Sequence, residues 1–291
     1  MVAAAQEPSP PQLSQDQIRA LIRQSAEKDI ENDRAQRDYT YIQREEEHKL
    51  NGKGQVQSTE IHTFEIMVLY EEPVRKLIAK DDKPLPPKDV AKDEEKIQKI
   101  IDERKNEDEG KRKKRLERAA KDADEGRKFV NEIADAFNFR LVQIEAVNGR
   151  DAYVIDAEPR PDYEPKHKDA KFLPKFRFRA WIDKASSQWV KLDIQCIDTV
   201  SVGLFLFRVH KGSSIQIEQT QINDEVWLPK YVALKLDARV ALFKGVNIAE
   251  DVTYRDYKKF RIGTKILPSE EVKEAPADPA KPPLPAQLNQ R

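Results

Sequence analysis

The second half of the chain alternates hydrophobic and polar residues with a period of two. The clearest runs cover residues 176–182, 190–196, 215–222 and 226–242, and turn-forming pairs such as Asn148-Gly149 and Asn223-Asp224 lie between extended segments. This period is typical of strands that bury one face and leave the other in water. Together with strands predicted in the first half, it indicates about nine or ten strands in one curved antiparallel sheet, with helices on its concave side.

The first half begins with a predicted helix. Ser14 and Gln17 have the spacing of a capping box, in which each side chain binds the backbone N–H of the other residue. The apolar residues that follow recur near helical spacing: Ile18, Leu21, Ile22 and Ile30. We expect this apolar stripe to lie against the sheet that follows, whose first strands are predicted over 39–44 and 64–79.

A highly charged segment interrupts this pattern at residues 88–128. Its 41 residues include 15 basic and 13 acidic side chains, and their composition favours a solvated helical insertion. Gly110 and Gly126 are expected to break the helix, and a second short amphipathic helix over 129–137 should return the chain to the core. The basic run at 111–115 has acidic residues close on both sides, which favours a solvated helix surface over a nucleic-acid site.

Residues 200–209 do not alternate, because apolar side chains occupy both parities. Two interpretations stay open: a strand buried between sheet and helix, or a hydrophobic edge that projects toward a ligand, membrane or partner. A short apolar run is more often core than site. Exposed to water, residues 204–207 would promote association.

Composition narrows the class of protein. Of the 291 residues, 36% are charged and 38% are hydrophobic, which predicts one mid-sized core with charged appendages. The 52 basic and 52 acidic side chains leave no basic surplus for nucleic acid or anionic lipid. One cysteine excludes an internal disulfide and a cysteine-based zinc site. No run approaches the roughly 18 apolar residues of a transmembrane segment.

The sequence offers little for catalysis. His48, His62, His167 and His210 stand apart without a zinc-binding spacing, and Cys196 falls on the predicted core parity of its strand. Nine glycines provide no nucleophile elbow, phosphate loop or dinucleotide fingerprint. We therefore expect no catalytic residue, no metal and no cofactor. A cleft that gathered His62, His210 and several carboxylates would favour an enzyme instead.

Both ends of the chain differ from its middle. Ala3 and Ala5 form an Ala-x-Ala pattern before Gln6, which predicts the remnant of a trimmed signal peptide; an Ala-rich start of a cytosolic protein is the alternative. Residues 264–291 hold six prolines and no periodic apolar pattern. We predict a disordered start at 1–13, a single domain at 14–263 containing the insertion 88–128, and a disordered tail at 264–291.

Three sequence patterns resemble a known family. The first is residues 181–192, which read WIDKASSQWVKL, and the second is residues 223–229, which read NDEVWLP. The third is the occurrence in one chain of Tyr39-Thr40-Tyr41, of GLFL at 203–206 and of HKGS at 210–213. They resemble the outer-membrane lipoprotein carrier and sorting superfamily, and most closely bacterial envelope proteins of that type whose function is not established. The resemblance spans about 14–260. A charged helical insertion recurs in those envelope proteins, but neither the insertion nor the Pro-rich tail is part of the carrier pattern, and no position matches a carrier's acyl-gating residue.

The resemblance implies an α+β fold: a half-open β-barrel with helices on the concave face and, between them, a hydrophobic cavity that holds acyl chains in relatives. It implies a periplasmic, non-catalytic protein that binds a lipid, a lipoprotein acyl chain or another hydrophobic ligand. The candidate cavity residues are Phe176, Phe178, Val190, Leu192, Leu204, Phe205, Leu206, Phe207, Leu234 and Leu236. The alternative is an envelope scaffold whose core is filled by side chains and which reaches a partner through the charged helix and the Pro-rich tail.

Overall fold

A computed structural model describes residues 13–70, 72–166, 168–202, 207–240 and 244–259. The predicted disordered start, apart from Leu13, and the predicted tail lie outside the described residues. So do His167 and the candidate cavity residues Leu204, Phe205 and Leu206.

Helices and strands occupy most of the described chain. The helices are α1 (Gln15–Gln36), α2 (Pro87–Lys105), α3 (Glu109–Ala136) and a 3-10 helix (Lys168–Lys175). The strands are β1 (Tyr39–Leu50), β2 (Val56–Leu69), β3 (Glu72–Lys80), β4 (Lys83–Pro84), β5 (Phe137–Val147), β6 (Arg150–Pro159), β7 (Phe176–Asp183), β8 (Trp189–Cys196), β9 (Val200–Val202), β10 (Phe207–Val209), β11 (Ser214–Ile222), β12 (Val226–Val240) and β13 (Lys244–Lys259).

The strands form one curved sheet that does not close, and every pair of neighbouring strands in it is antiparallel. The order is β4-β3-β2-β1-β13-β12-β11-β8-β7-β6-β5, so β4 and β5 lie at the two ends of the sheet. Beside this path, β10 pairs with β12 and with β9, and β9 pairs with β10 alone. The predicted α+β half-open barrel is confirmed. The described chain has thirteen strands rather than nine or ten, because pieces as short as β4, β9 and β10 carry no readable alternation.

Helix α1 is capped as the sequence predicts and is attached to the sheet near both ends. Gln17 N–H donates to Ser14 Oγ at 3.2 Å, and Ser14 N–H donates to Gln17 Oε1 at 2.8 Å. Near the other end, Asn32 Nδ2 donates to the Trp227 carbonyl at 2.5 Å and Asn32 Oδ1 accepts from Trp227 N–H at 2.7 Å. The helix therefore reaches from the β5 side of the sheet to the start of β12.

The charged insertion forms two helices, but the break between them differs from the prediction. It falls at residues 106–108, where Asp108 caps α3 by accepting from Lys111 N–H. Gly110 and Gly126 both lie within α3, which runs on to residue 136 without a separate short helix. One glycine costs a helix only about 1 kcal/mol, so it does not have to end one.

The main core lies between α1, the end of α3, the 3-10 helix and strands β5–β7. Its buried members are Ile18, Ile22, Ala134, Ala136, Phe137, Phe139, Ile155, Ala157, Ala170, Leu173, Ala180 and Ile182. The Phe178 ring packs edge-on against Phe137, with centroids 4.9 Å apart. We call this region the covered half of the sheet, since helices lie over it.

Two smaller clusters complete the packing. Tyr39, Ile222, Val226, Leu228 and Tyr257 are buried beside the end of α1. On the opposite face of the sheet, Ala152, Val154, Trp181, Val190 and Trp227 form another buried group. A bulge places Val190 there: Ile182 pairs with Trp189, whereas Trp181 pairs with Lys191, so one extra residue shifts the alternation of β8.

The segment 200–209 is not one buried strand. Its described residues form β9 and β10, which pair with each other through Val200↔Val209 and Val202↔Phe207. Val200 is buried, whereas the Phe207 side chain is 37% exposed and pairs with the exposed Val240. The described residues of the segment therefore form two short paired strands that end in an exposed Phe207, and the interpretation as one strand buried between sheet and helix is wrong.

Candidate functional site: the inner face of the sheet

Cross-strand pairing defines which side chains share the face that α1 covers. Residues directly opposite each other on neighbouring strands point to the same face. Ala180 belongs to the covered core, and the row that begins there continues across β8, β11, β12 and β13. That row is Ala180–Leu192–Ile217–Val232–Val252. We call this the inner face.

A parallel row on the inner face is also apolar over most of its length. It runs Phe178–Ile194–Ile215–Leu234–Glu250, and Leu236 pairs with Ile248 one step further along β12. We give the name apolar wall to the half-buried aliphatic residues of these two rows together with the Leu236–Ile248 pair. They are Leu192, Ile194, Ile215, Ile217, Val232, Leu234, Leu236 and Ile248. Four strands at about 4.8 Å spacing make the wall roughly 14 Å wide.

The apolar wall is the open half of the inner face. Leu192 borders the covered core, but the described helices pack on β5, on β3 and on the start of β12 rather than over the centre of the wall. Because these side chains are neither buried in a core nor separated by polar ones, they form a continuous apolar surface in a concave sheet. Such a surface is typical of a binding site.

Carboxylates follow directly on the apolar wall. Leu234 of β12 pairs with Glu250 of β13, and Glu250 pairs with Glu47 of β1. Glu45 lies on the same face, because it pairs with Val252. We call Glu45, Glu47 and Glu250 the acidic row. Burial raises the pKa of Glu250, and the charges of Glu45 and Glu47 raise it further.

Aromatic rings accompany the acidic row. Tyr41 and Tyr254 lie on the inner face with ring centroids 5.8 Å apart, and burial, with contributions from Tyr41 and Glu45, raises the pKa of Tyr254 to about 12. The Arg75 guanidinium lies over the Phe64 ring, 3.9 Å from its centroid, and its Nη2 is 2.7 Å from Glu45 Oε1. This end of the inner face therefore combines carboxylates with π surfaces.

Among the candidate cavity residues, five lie on the inner face in two groups. Phe176, Phe178 and Leu192 line β7 and β8, where Phe178 and Leu192 pack against the covered core and Phe176 pairs with Cys196. Leu234 and Leu236 lie in the open half on β12. The structure thus places Phe178 in the filled region, Leu234 and Leu236 in the open one, and Leu192 at the border between them.

Two other candidates lie apart from those groups. Val190 is 2% exposed and packs with Trp181 and Trp227 on the opposite face, because of the bulge in β8. Phe207 lies at the far tip of the sheet beside Val240.

Sequence reasoning missed Ile194, Ile215, Ile217 and the acidic row as parts of one surface. The sequence shows the alternation along each single strand, but it does not show which strands are neighbours in the sheet.

Titratable groups do not gather into a catalytic cleft in the part of the chain that is described. His210 Nδ1 lies 3.1 Å from Asp237, and His62 lies on β2 opposite Glu45. No group of three or more His, Cys, Asp or Glu side chains there could hold a metal ion. Burial raises the pKa of the Cys196 thiol, whose Sγ lies 3.0 Å from the Asp198 carbonyl.

Among described helices, none has the length and apolarity needed to cross a membrane.

Asp183 of β7 and Trp227 of β12, which belong to the motifs that resemble the carrier superfamily, both contact Arg150, a residue that the sequence analysis did not select. Arg150 Nε and Nη2 donate to the Asp183 carboxylate at 2.8 and 3.0 Å. The same guanidinium lies 5.6 Å from the centroid of the Trp227 ring. Asp183 also accepts from Ser186 N–H and Oγ, both at 2.7 Å, and so fixes the turn into β8. These residues hold the sheet together and do not line the inner face.

The fold is similar to solved bacterial structures. A putative outer membrane lipoprotein-sorting protein domain from Vibrio parahaemolyticus has 14% identity and a TM-score of 0.33, with 82% of this chain and 95% of that chain covered. A DUF1329 family protein from Desulfovibrio piger has 8% identity and a TM-score of 0.30 over 85% and 95%. A LolA superfamily protein from Nitrosomonas europaea has 10% identity and a TM-score of 0.27 over 84% and 94%.

No protein-family model and no curated protein matches the chain. Two of these solved structures carry names of the superfamily that the sequence resembles.

Proposed function

We propose that the protein is a periplasmic, non-catalytic binding protein that holds a lipid, a lipoprotein acyl chain or another hydrophobic molecule on the open half of its inner face. The observation that carries this proposal is the apolar wall: eight half-buried aliphatic side chains, contiguous over four strands, on the concave face of an unclosed sheet. Affinity would come from the apolar area that the ligand covers, with few polar contacts.

The alternative, an envelope scaffold with a filled core, draws support from the covered half. There Phe137, Phe139 and Phe178 fill the space under α1 with their own rings. Most of α3 between residues 109 and 121 is exposed and would be available to a partner. The apolar wall favours the binding protein, because a scaffold has no need for a concave apolar surface beside its core.

A displacement titration tests the proposal. A fluorescent fatty acid is bound to the full chain and displaced by unlabelled lipids, while an organic extract of the purified protein is analysed by mass spectrometry. We expect saturable binding and displacement. No displacement from a protein that yields no extractable lipid would refute the proposal and favour the scaffold.

A matched pair of variants locates the site. Leu234→Ser should weaken binding about fivefold, because a partly buried leucine contributes roughly 1 kcal/mol to the apolar contact. Lys235→Ser changes the next residue of the same strand, which is exposed and points to the opposite face, and should leave affinity unchanged. Equal effects of both variants would place the ligand elsewhere.

A further inference from the structure

We propose that the ligand of the inner face is a single-chain amphiphile with an ammonium group, its alkyl chain on the apolar wall and its cation on the acidic row. This inference rests on the proposed function and specifies its ligand class. It follows from the order of side chains across the sheet, from their charges, and from a cation that the fold itself holds at the same place.

The change from apolar to acidic occurs within one row. Ile194, Ile215 and Leu234 are followed on the next two strands by Glu250 and Glu47. The row from β8 to β1 spans four strand spacings, about 19 Å. A ligand lying along it would therefore meet aliphatic groups along most of its length and carboxylates at one end.

The acidic row is electrostatically incomplete. Glu47 and Glu250 lie directly opposite each other, an arrangement that is unfavourable for like charges. Within the described residues, neither carboxylate forms an ion pair or a side-chain hydrogen bond. A bound cation would reduce their mutual repulsion, whereas a carboxylate or phosphate headgroup would add to it.

Arg75 shows which headgroup this surface accommodates. Its guanidinium lies on the Phe64 ring and bonds Glu45, so the fold already places one cation between a π face and a member of the acidic row. Tyr41 and Tyr254 offer further rings near the remaining carboxylates. An ammonium group beside Glu47 and Glu250 would find the same two kinds of contact.

Two probes with the same chain and opposite charge test this ligand class. Dodecylammonium and dodecanoate are titrated calorimetrically into the full chain at pH 7 and low salt, below their micelle concentrations. We expect dodecylammonium to bind about tenfold more tightly, with a preference that shrinks as salt is raised.

Variants assign the preference to the acidic row. The double variant Glu47→Gln/Glu250→Gln should bring the affinity ratio of the two probes close to one. It should still fold, because it removes a like-charge pair, and a circular-dichroism melt verifies this. Glu46→Gln, on β1 but on the opposite face, is the control and should keep the tenfold preference.

The outcomes separate this inference from the function on which it rests. Equal affinity for both probes, tighter binding of dodecanoate, or a preference that survives the double variant would overturn the ammonium assignment and leave hydrophobic-ligand binding intact. If neither probe binds, and no other lipid displaces the fluorescent fatty acid, the proposed function fails as well.

Discussion

Replacing Asp183 with asparagine should destabilise the protein strongly without touching the inner face. Asp183 is 1% exposed, and its carboxylate accepts hydrogen bonds from Arg150, from the backbone N–H groups of Ala185 and Ser186, and from Ser186 Oγ. Asparagine has the same shape but carries an NH2 group in place of one oxygen. That group would face N–H or O–H donors, and Arg150 would lose its counter-charge.

The magnitude follows from burial. Removing one partner of a buried ion pair costs about 3–5 kcal/mol of unfolding free energy. The Arg150 side chain is 34% exposed, so water replaces part of the lost interaction and the lower end, about 3 kcal/mol, applies. For a chain of this size, each kcal/mol lowers the melting temperature by roughly 2–4 °C, so we expect a decrease of about 6–12 °C.

Thermal and urea unfolding followed by circular dichroism measure this loss. Asp151→Asn is the matched control, because its exposed carboxylate lies 3.4 Å from Lys184 Nζ and should contribute less than about 0.5 kcal/mol. If Asp183→Asn were within about 1 kcal/mol of the wild type, the buried pair would not be stabilising the turn into β8, and this reasoning would be wrong.

The same substitution should change the response to acid. Burial alone would raise the pKa of Asp183, but hydrogen bonds from Arg150 and Ser186 outweigh it and lower the pKa. A lowered pKa gives stability that is present above the unfolded-state pKa, near pH 4, and is lost as the pH falls through the folded-state value. As the pH falls below about 4, wild-type melting temperatures should therefore fall more steeply than those of Asp183→Asn; parallel curves would contradict this.

Three further predictions concern the packing. Phe178→Ala should lower the unfolding free energy by about 2–3 kcal/mol, because it removes the ring that packs edge-on against Phe137; a loss below 1 kcal/mol in urea unfolding would contradict that contact. Asn32→Ala should cost about 1–3 kcal/mol, because it leaves the buried Trp227 N–H unpaired and leaves the Trp227 carbonyl with only the hydrogen bond from Gln36; calorimetric melting tests this, and an unchanged melt would refute it. Cys196 should react with a thiol reagent only at the rate of unfolding, since it is buried; fast reaction of the native protein would show otherwise.

The sequence predicts most of the fold because alternation and capping are local signals. The capping box of α1 and the Asn148-Gly149 hairpin depend on residues a few positions apart, and both form as expected. The continuity of α3 through Gly126 was not predictable in this way. Its end is fixed by packing of residues such as Ala134 against α1, a contact between distant parts of the chain.

The candidate site was less predictable, for a physical reason. Leu234 and Leu236 could be assigned to the inner face from alternation along β12 alone. Their neighbours Glu250 and Ile248 come from β13, and the sequence does not reveal that β13 lies between β12 and β1. Val190 shows a second reason why side-chain placement was not predictable. The bulge in β8 moves this side chain to the opposite face, and the alternation of hydrophobic and polar residues in the sequence does not indicate where a bulge lies.

The edge strands of the unclosed sheet bear on the solubility of the protein. At one rim, β4 is two residues long, ends in Pro84, which has no N–H to offer, and pairs only with Ala79 and Lys80. Over the rest of that rim α2 packs on β3, where Leu77 N–H donates to the Asp93 carboxylate. At the other rim, β5 is bulged, since Leu141 pairs with Ile155 while Gln143 already pairs with Val154. Short, kinked or proline-bearing rims are poor templates for a further strand. The protein can therefore keep its concave surface accessible without stacking edge to edge into fibrous aggregates.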